Sequence, residues 1–130
     1  MRHIFGFAVD LDMTRRDLQN DMKKQGRPWR IGKAFDHSAP IGPITPAEQA
    51  GDITQAAFAL QVNGSDRQRS YIGKLIWNLA ETIEHLSAAW ELQPGDLIYT
   101  GTPEGVAAVV AGDLMVGTVA GPAELRVQVA

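Results

Sequence analysis

The dipeptide Asn63-Gly64 sits between two β-prone runs, Ala56 to Val62 and Asp66 to Tyr71. That placement constrains the fold more than any other local feature. Asn-Gly supplies the two positive-φ residues of a tight hairpin turn, so the flanking runs must pair antiparallel. Immediately afterwards the apolar period changes: Leu75, Ile76, Leu79, Ile83, Leu86 and Trp90 recur at helical spacing, which predicts one main amphipathic helix over 74–90.

The rest of the chain is dominated by strands. Residues 4–12 alternate, with Phe5, Phe7, Val9 and Leu11 on one side and Gly6, Ala8, Asp10 and Asp12 on the other, predicting a strand with a buried face and a small, acidic face. Thr14 is placed to cap a helical turn running from Arg15 to Lys23, which Gly26-Arg27-Pro28 ends. Prolines 40, 43 and 46 keep the next stretch extended, and Thr45-Pro46-Ala47-Glu48 is suited to one helical turn. Pro94-Gly95-Asp96 makes a turn before a short predicted strand, Leu97 to Thr100. Two further strands are expected at 114–120 and 123–129, separated by Gly121-Pro122.

With 130 residues, 45% of them apolar and 21% charged, the sequence is expected to form a single domain, 1–130, with its own core. No apolar run approaches the roughly 20 residues needed to span a bilayer, and no signal-peptide pattern follows Met1, so a cytoplasmic location without membrane contact is expected. A net charge of -3 argues against nucleic acid as a partner. Absence of cysteine excludes disulfides and thiolate metal sites and leaves oxygen or imidazole ligands, which favours a hard cation. His3, His37 and His85 share no metal-binding spacing.

Charge is unevenly distributed. Arg15, Arg16, Lys23, Lys24, Arg27, Arg30 and Lys33 are seven of the chain's twelve basic residues, all within one short stretch that begins at Asp12. Such a segment either draws small anions to one mouth or forms a solvated face paired with Asp17 and Asp21. Asp12, at the end of a strand, is the best single metal-ligand candidate, and Asp10 lies on the same face. From spacing alone, both read first as ordinary strand-end carboxylates paired with Arg15 or Arg16. Lys33, following Gly32, is placed either to stabilise an anionic oxygen or to stand in solvent. Thr100-Gly101-Thr102 offers hydroxyls and backbone N–H groups to an anion, or is simply a turn.

In combination, Gly6-Phe7-Ala8-Val9, Asp12-Met-Thr-Arg-Arg-Asp-Leu-Gln19, Gly26-Arg-Pro-Trp29, Gly32-Lys-Ala-Phe35, Ala39-Pro-Ile-Gly-Pro43, Val62-Asn-Gly64, Pro94-Gly-Asp-Leu-Ile98 and Thr100-Gly-Thr-Pro-Glu-Gly-Val106 resemble the consecutive motifs of the fumarylacetoacetate hydrolase family. The wording is nearest to the branch acting on fumarylpyruvate. This resemblance implies an α+β fold, the family's mixed β roll with one main helix, in a form truncated at its N-terminal side and equivalent to the C-terminal portion of the catalytic domain. It implies a magnesium- or manganese-dependent hydrolase that cleaves carbon-carbon bonds in acylpyruvates, fumarylpyruvate giving fumarate and pyruvate. It assigns Asp12 as metal ligand, Arg16, Gln19 and Thr102 as contacts to a small anionic dioxo acid, and Lys33 as the catalytic residue that steadies enolate charge. A homodimer is expected, because a truncated roll exposes apolar edges. The family's Glu-x-Glu metal ligands and its His and Glu acid-base pair belong upstream of the matched motifs, and Asp10 stands where the family has a small or neutral residue. Two other outcomes follow from these departures: a catalytically silent partial copy acting as a dimer or partner subunit, or a relative that decarboxylates or isomerises a keto acid.

Overall fold

The computed structural model describes residues 3–130. Its centre is a four-stranded antiparallel sheet in the order β4-β3-β5-β6, built from β3 (Ala57–Val62), β4 (Ser65–Tyr71), β5 (Leu114–Val119) and β6 (Leu125–Gln128). The predicted hairpin forms, with Asn63 and Gly64 at φ of 51° and 79° as a two-residue turn of this kind requires. Asn63 also ties the hairpin to β5: its side-chain oxygen accepts from the Leu114 N–H at 2.9 Å and its amide donates to Asp113 at 2.7 Å.

Register explains the core. Leu60 faces Gly117 and Val62 faces Met115 across β3 and β5, while Gly117 faces Leu125 and Met115 faces Val127 across β5 and β6. These residues share one side of the sheet by the two-residue period of strands. Val9 and Leu11 lie over them and complete a buried cluster with Val62, Met115 and Leu125. Gly117 makes this possible, because a Cβ there would come within 2.8 Å of the Val9 side chain.

The covering segment is extended but forms little regular ladder. β1 (Gly6–Phe7) pairs with β2 (Thr45–Pro46), and Asp10 bridges to Ile41. Leu11 N donates to Pro40 O at 3.0 Å and Met13 N to Ser38 O at 2.8 Å, so residues 9–13 run along residues 38–42. The strand expected over 4–12 is therefore interrupted. Its apolar side reaches the core only where the segment crosses Gly117, and Phe5 is 77% exposed. After Pro46 the chain turns as expected, with Gln49 N and Ala50 N both donating to Pro46 O.

The described residues form two α-helices, α1 (Arg16–Lys24) and α2 (Leu79–Ala89). The main helix begins later than the expected residue 74, because Ile72–Lys74 closes a separate 3-10 turn and Asn78 then starts the helix. The Asn78 side chain accepts from Glu81 N at 3.0 Å, and Glu81 accepts from Asn78 N at 2.8 Å, a reciprocal capping box. None of the residues of α2 is buried, and Trp90 beyond its end is 65% exposed. Leu97 to Thr100 is not a strand; it finds no ladder partner among the described residues. No helix of the described residues is long and apolar enough to cross a membrane.

Candidate functional site

Alternation along the covering segment decides where the carboxylates point. Val9 and Leu11 go into the core, so Asp12 emerges on the opposite side, exposed at the start of the turn into α1. A second connection brings Lys33 to it. The 3-10 turn Arg30–Gly32 rests on the first residues of α1, with Arg15 N donating to Gly32 O at 2.9 Å. Only glycine permits this seat: a Cβ at position 32 would lie 2.9 Å from Gln19 Cβ and 3.0 Å from both Gln19 N and Arg15 O. The next residue, Lys33, then reaches Asp12, with Nζ to Oδ2 at 2.5 Å, and donates to Thr14 Oγ1 at 2.9 Å. The side chains are 31% and 50% exposed, so the pair is open to solvent and to exchange with another charged group.

Arg16 and Gln19 also meet. Arg16 Nη1 donates to Gln19 Oε1 at 2.7 Å, and Gln19 is buried beneath the Gly32 turn while Arg16 is exposed. Arg15 lies over the Phe35 ring at 4.3 Å and Lys23 over the Trp29 ring at 5.1 Å. Both basic side chains thus rest on aromatic faces. Among the described residues Asp17 and Asp21 form no ion pair, nor do Arg15 or Arg16 pair with Asp10 or Asp12. Thr14 does not cap α1. Arg15 occupies the N-cap without a side-chain bond, and the Thr14 hydroxyl is taken by Lys33.

Asp10 is pushed up to about 6 by burial and, second, by the charge of Asp12. Tyr99 is raised by burial and by the charges of Asp10 and Asp12, which places it in the same electrostatic field, and its hydroxyl donates to Ala39 O at 3.1 Å. Tyr99 falls in the segment expected as a strand from its sequence, and no local pattern links it to residues 10–12. Thr102 is held elsewhere: its exposed hydroxyl accepts from Gln68 on β4 at 2.8 Å. Asp12, Lys33, Arg16 and Gln19 are thus gathered around α1, whereas no hydrogen bond or ion pair joins Thr102 to them among the described residues.

The donor chemistry suits a hard divalent ion. Asp12 presents an exposed carboxylate, and its repulsion of Asp10 is the kind of charge crowding a cation relieves. The described residues gather no third acid or imidazole with them. Magnesium-type ions are commonly held by one or two carboxylates with water and substrate oxygens, so this set is sparse but of the right kind.

The family model described as "Fumarylacetoacetate (FAA) hydrolase C-terminal" matches residues 1–130. The chain belongs to the fumarylacetoacetate hydrolase family. It is 52% identical over 126 residues to a fumarylpyruvate hydrolase of Ralstonia sp, covering 97% of this chain and 65% of that protein. An oxaloacetate tautomerase of Escherichia coli is 41% identical over 111 residues, covering 85% of this chain and 51% of the relative. Among solved structures, the fumarylpyruvate hydrolase from Pseudomonas aeruginosa in complex with Mn2+ and pyruvate superposes with a TM-score of 0.95 at 60% identity, over 99% of this chain and 55% of that one. The mixed helix and sheet arrangement is therefore the family's fold. The chain spans a little over half to about two thirds of the length of these relatives.

Proposed function

We propose that these 130 residues are the C-terminal portion of a catalytic domain that hydrolyses acylpyruvates, with fumarylpyruvate as substrate and fumarate and pyruvate as products. The observation that carries the reading is the solvent-open Asp12–Lys33 pair, seated beside Arg16 and Gln19 in a family member related to fumarylpyruvate hydrolases. Asp12 is the ligand this chain contributes to magnesium or manganese. When bound, such an ion polarises the carbonyls of a dioxo acid. Arg16, oriented by buried Gln19, contacts the acid, and Thr102 donates a hydrogen bond to a substrate carboxylate. Lys33 leaves Asp12 to steady negative charge on the enolate oxygen as the carbon-carbon bond breaks. Water supplies the hydroxyl of the fumarate carboxyl and the proton that converts the pyruvate enolate to pyruvate. Solvent-facing apolar groups flanking α2, Trp77 before it and Trp90 and Leu97 after it, support a homodimer.

A second reading, tautomerisation of oxaloacetate, is favoured by the tautomerase relatives. It needs a proton to leave the enol oxygen and another to reach the adjacent carbon, without carbon-carbon cleavage, which the same lysine and carboxylate also serve. Both are tested by giving the chain fumarylpyruvate and enol-oxaloacetate in parallel with manganese present. Pyruvate release from the first supports the hydrolase, and accelerated loss of the enol alone supports the tautomerase. Inertness toward both leaves a silent partial copy.

A further inference from the structure

Gln68 sits on β4 with its side chain half-buried and aimed at the 102–105 loop. Its Nε2 donates to Thr102 Oγ1 at 2.8 Å, to Pro103 O at 3.0 Å and, more weakly, to Glu104 O at 3.4 Å. Two of these partners are carbonyls, which only accept, so the group facing them must be the NH2 and not the amide oxygen. That fixes the polarity toward Thr102. Gln68 is the donor, the threonine oxygen is the acceptor, and the threonine proton has to point elsewhere.

The loop's far end is seated on the same strand. Gly105 has φ of +97°, and a Cβ there would collide with the Arg67 carbonyl and lie 3.3 Å from Gln68 Cγ. Residues 102–105 are thus held at both ends by 67–68, while the Thr102 hydroxyl stays exposed. A hydroxyl whose oxygen is occupied by a fixed donor is prepared to give its proton to an acceptor-only group, and a carboxylate is such a group.

We infer that Gln68 is a positioning residue that orients the Thr102 hydroxyl as a donor for a substrate carboxylate. This rests on the proposed role of Thr102. The test is calorimetric titration of the full chain with pyruvate in excess manganese, using Gln68→Met, Thr102→Ala and the double variant. Methionine keeps the length without donors or charge. Thr102→Ala is expected to weaken pyruvate about tenfold and Gln68→Met about fivefold, in line with loss of one hydrogen bond to a charged group. In the Thr102→Ala background, Gln68→Met should have no further effect, because Gln68 acts on the ligand only through the Thr102 hydroxyl. An equal loss in both backgrounds overturns the inference and leaves the function standing. A chain that binds no pyruvate, or a Thr102→Ala variant that binds it unchanged, overturns the functional assignment and the inference together.

Discussion

Replacing Gly32 by alanine asks whether the lysine turn is truly seated on α1. The added methyl would lie 2.9 Å from Gln19 Cβ and 3.0 Å from Gln19 N and Arg15 O. Two of those atoms are helix backbone and the third is the root of a buried side chain, so none swings aside as a flexible tip would. Relief requires the turn to lift from the helix, an overpacking cost of roughly 1–3 kcal/mol. At about 4 °C per kcal/mol for a domain of this size, thermal melting followed by circular dichroism should fall by about 4–12 °C. Gly26→Ala is the control: nothing lies within 4 Å of its added methyl, and only its φ of +63° opposes the change. Its cost should be about 1 kcal/mol from backbone conformation alone. Displacement of the turn also moves Lys33 from Asp12, so the alanine variant should lose affinity for pyruvate while the control keeps it. A Gly32→Ala protein that melts no lower than Gly26→Ala would refute the packing argument, and with it the explanation of how Lys33 is delivered.

Asp10 gives a pH dependence with a definite sign. Its folded-state pKa is raised from 3.8 to about 6, so its contribution to stability is fully present below about 4 and lost as pH rises through about 6. The shift corresponds to roughly 3 kcal/mol before screening and about 1 kcal/mol for a half-solvated group. In metal-free buffer, denaturant melts should find Asp10→Asn more stable than the unmodified chain by about that amount at pH 7.5 and equal to it near pH 3.5; equal stability at both pH values would contradict the crowding of Asp10 by burial and Asp12. Lys33→Met should change stability by under about 1 kcal/mol, since it breaks a partly exposed pair, yet abolish pyruvate release from fumarylpyruvate. Retained activity would remove Lys33 from the chemistry. Asn63→Ala removes two hydrogen bonds to the start of β5 and puts alanine at φ of 51°, for a loss of about 2 kcal/mol by urea denaturation.

Much of this arrangement is legible in the chain because it is local. The Asn63-Gly64 hairpin, the paired strands near the C-terminus and α1 all follow from turn chemistry and period. Asp12, Arg16, Gln19 and Lys33 were recognisable as a group through the family's motifs, and the Asn78-x-x-Glu81 capping box that starts α2 is visible once it is sought. The misses are long-range. Thr14 looks like a cap until Lys33, nineteen residues on, takes its hydroxyl. Phe5 follows the apolar alternation, but burial depends on the sheet surface that Gly117 opens beneath Val9. Leu97 to Thr100 has strand composition but no ladder partner among the described residues, and composition alone cannot provide one. Gln68 lies thirty-four residues from Thr102, and nothing in its neighbourhood marks it as a clamp.

Asp12, paired with Lys33 and open to solvent, is the proposed position where a divalent ion is held together with a keto acid. Water-proton relaxation during titration of the chain with manganese, in the presence of pyruvate, measures that directly. Saturable uptake of one ion per chain, weakened at least tenfold in Asp12→Asn, is the predicted result. Uptake that is the same in both proteins, or absent from the unmodified chain, would contradict the claim.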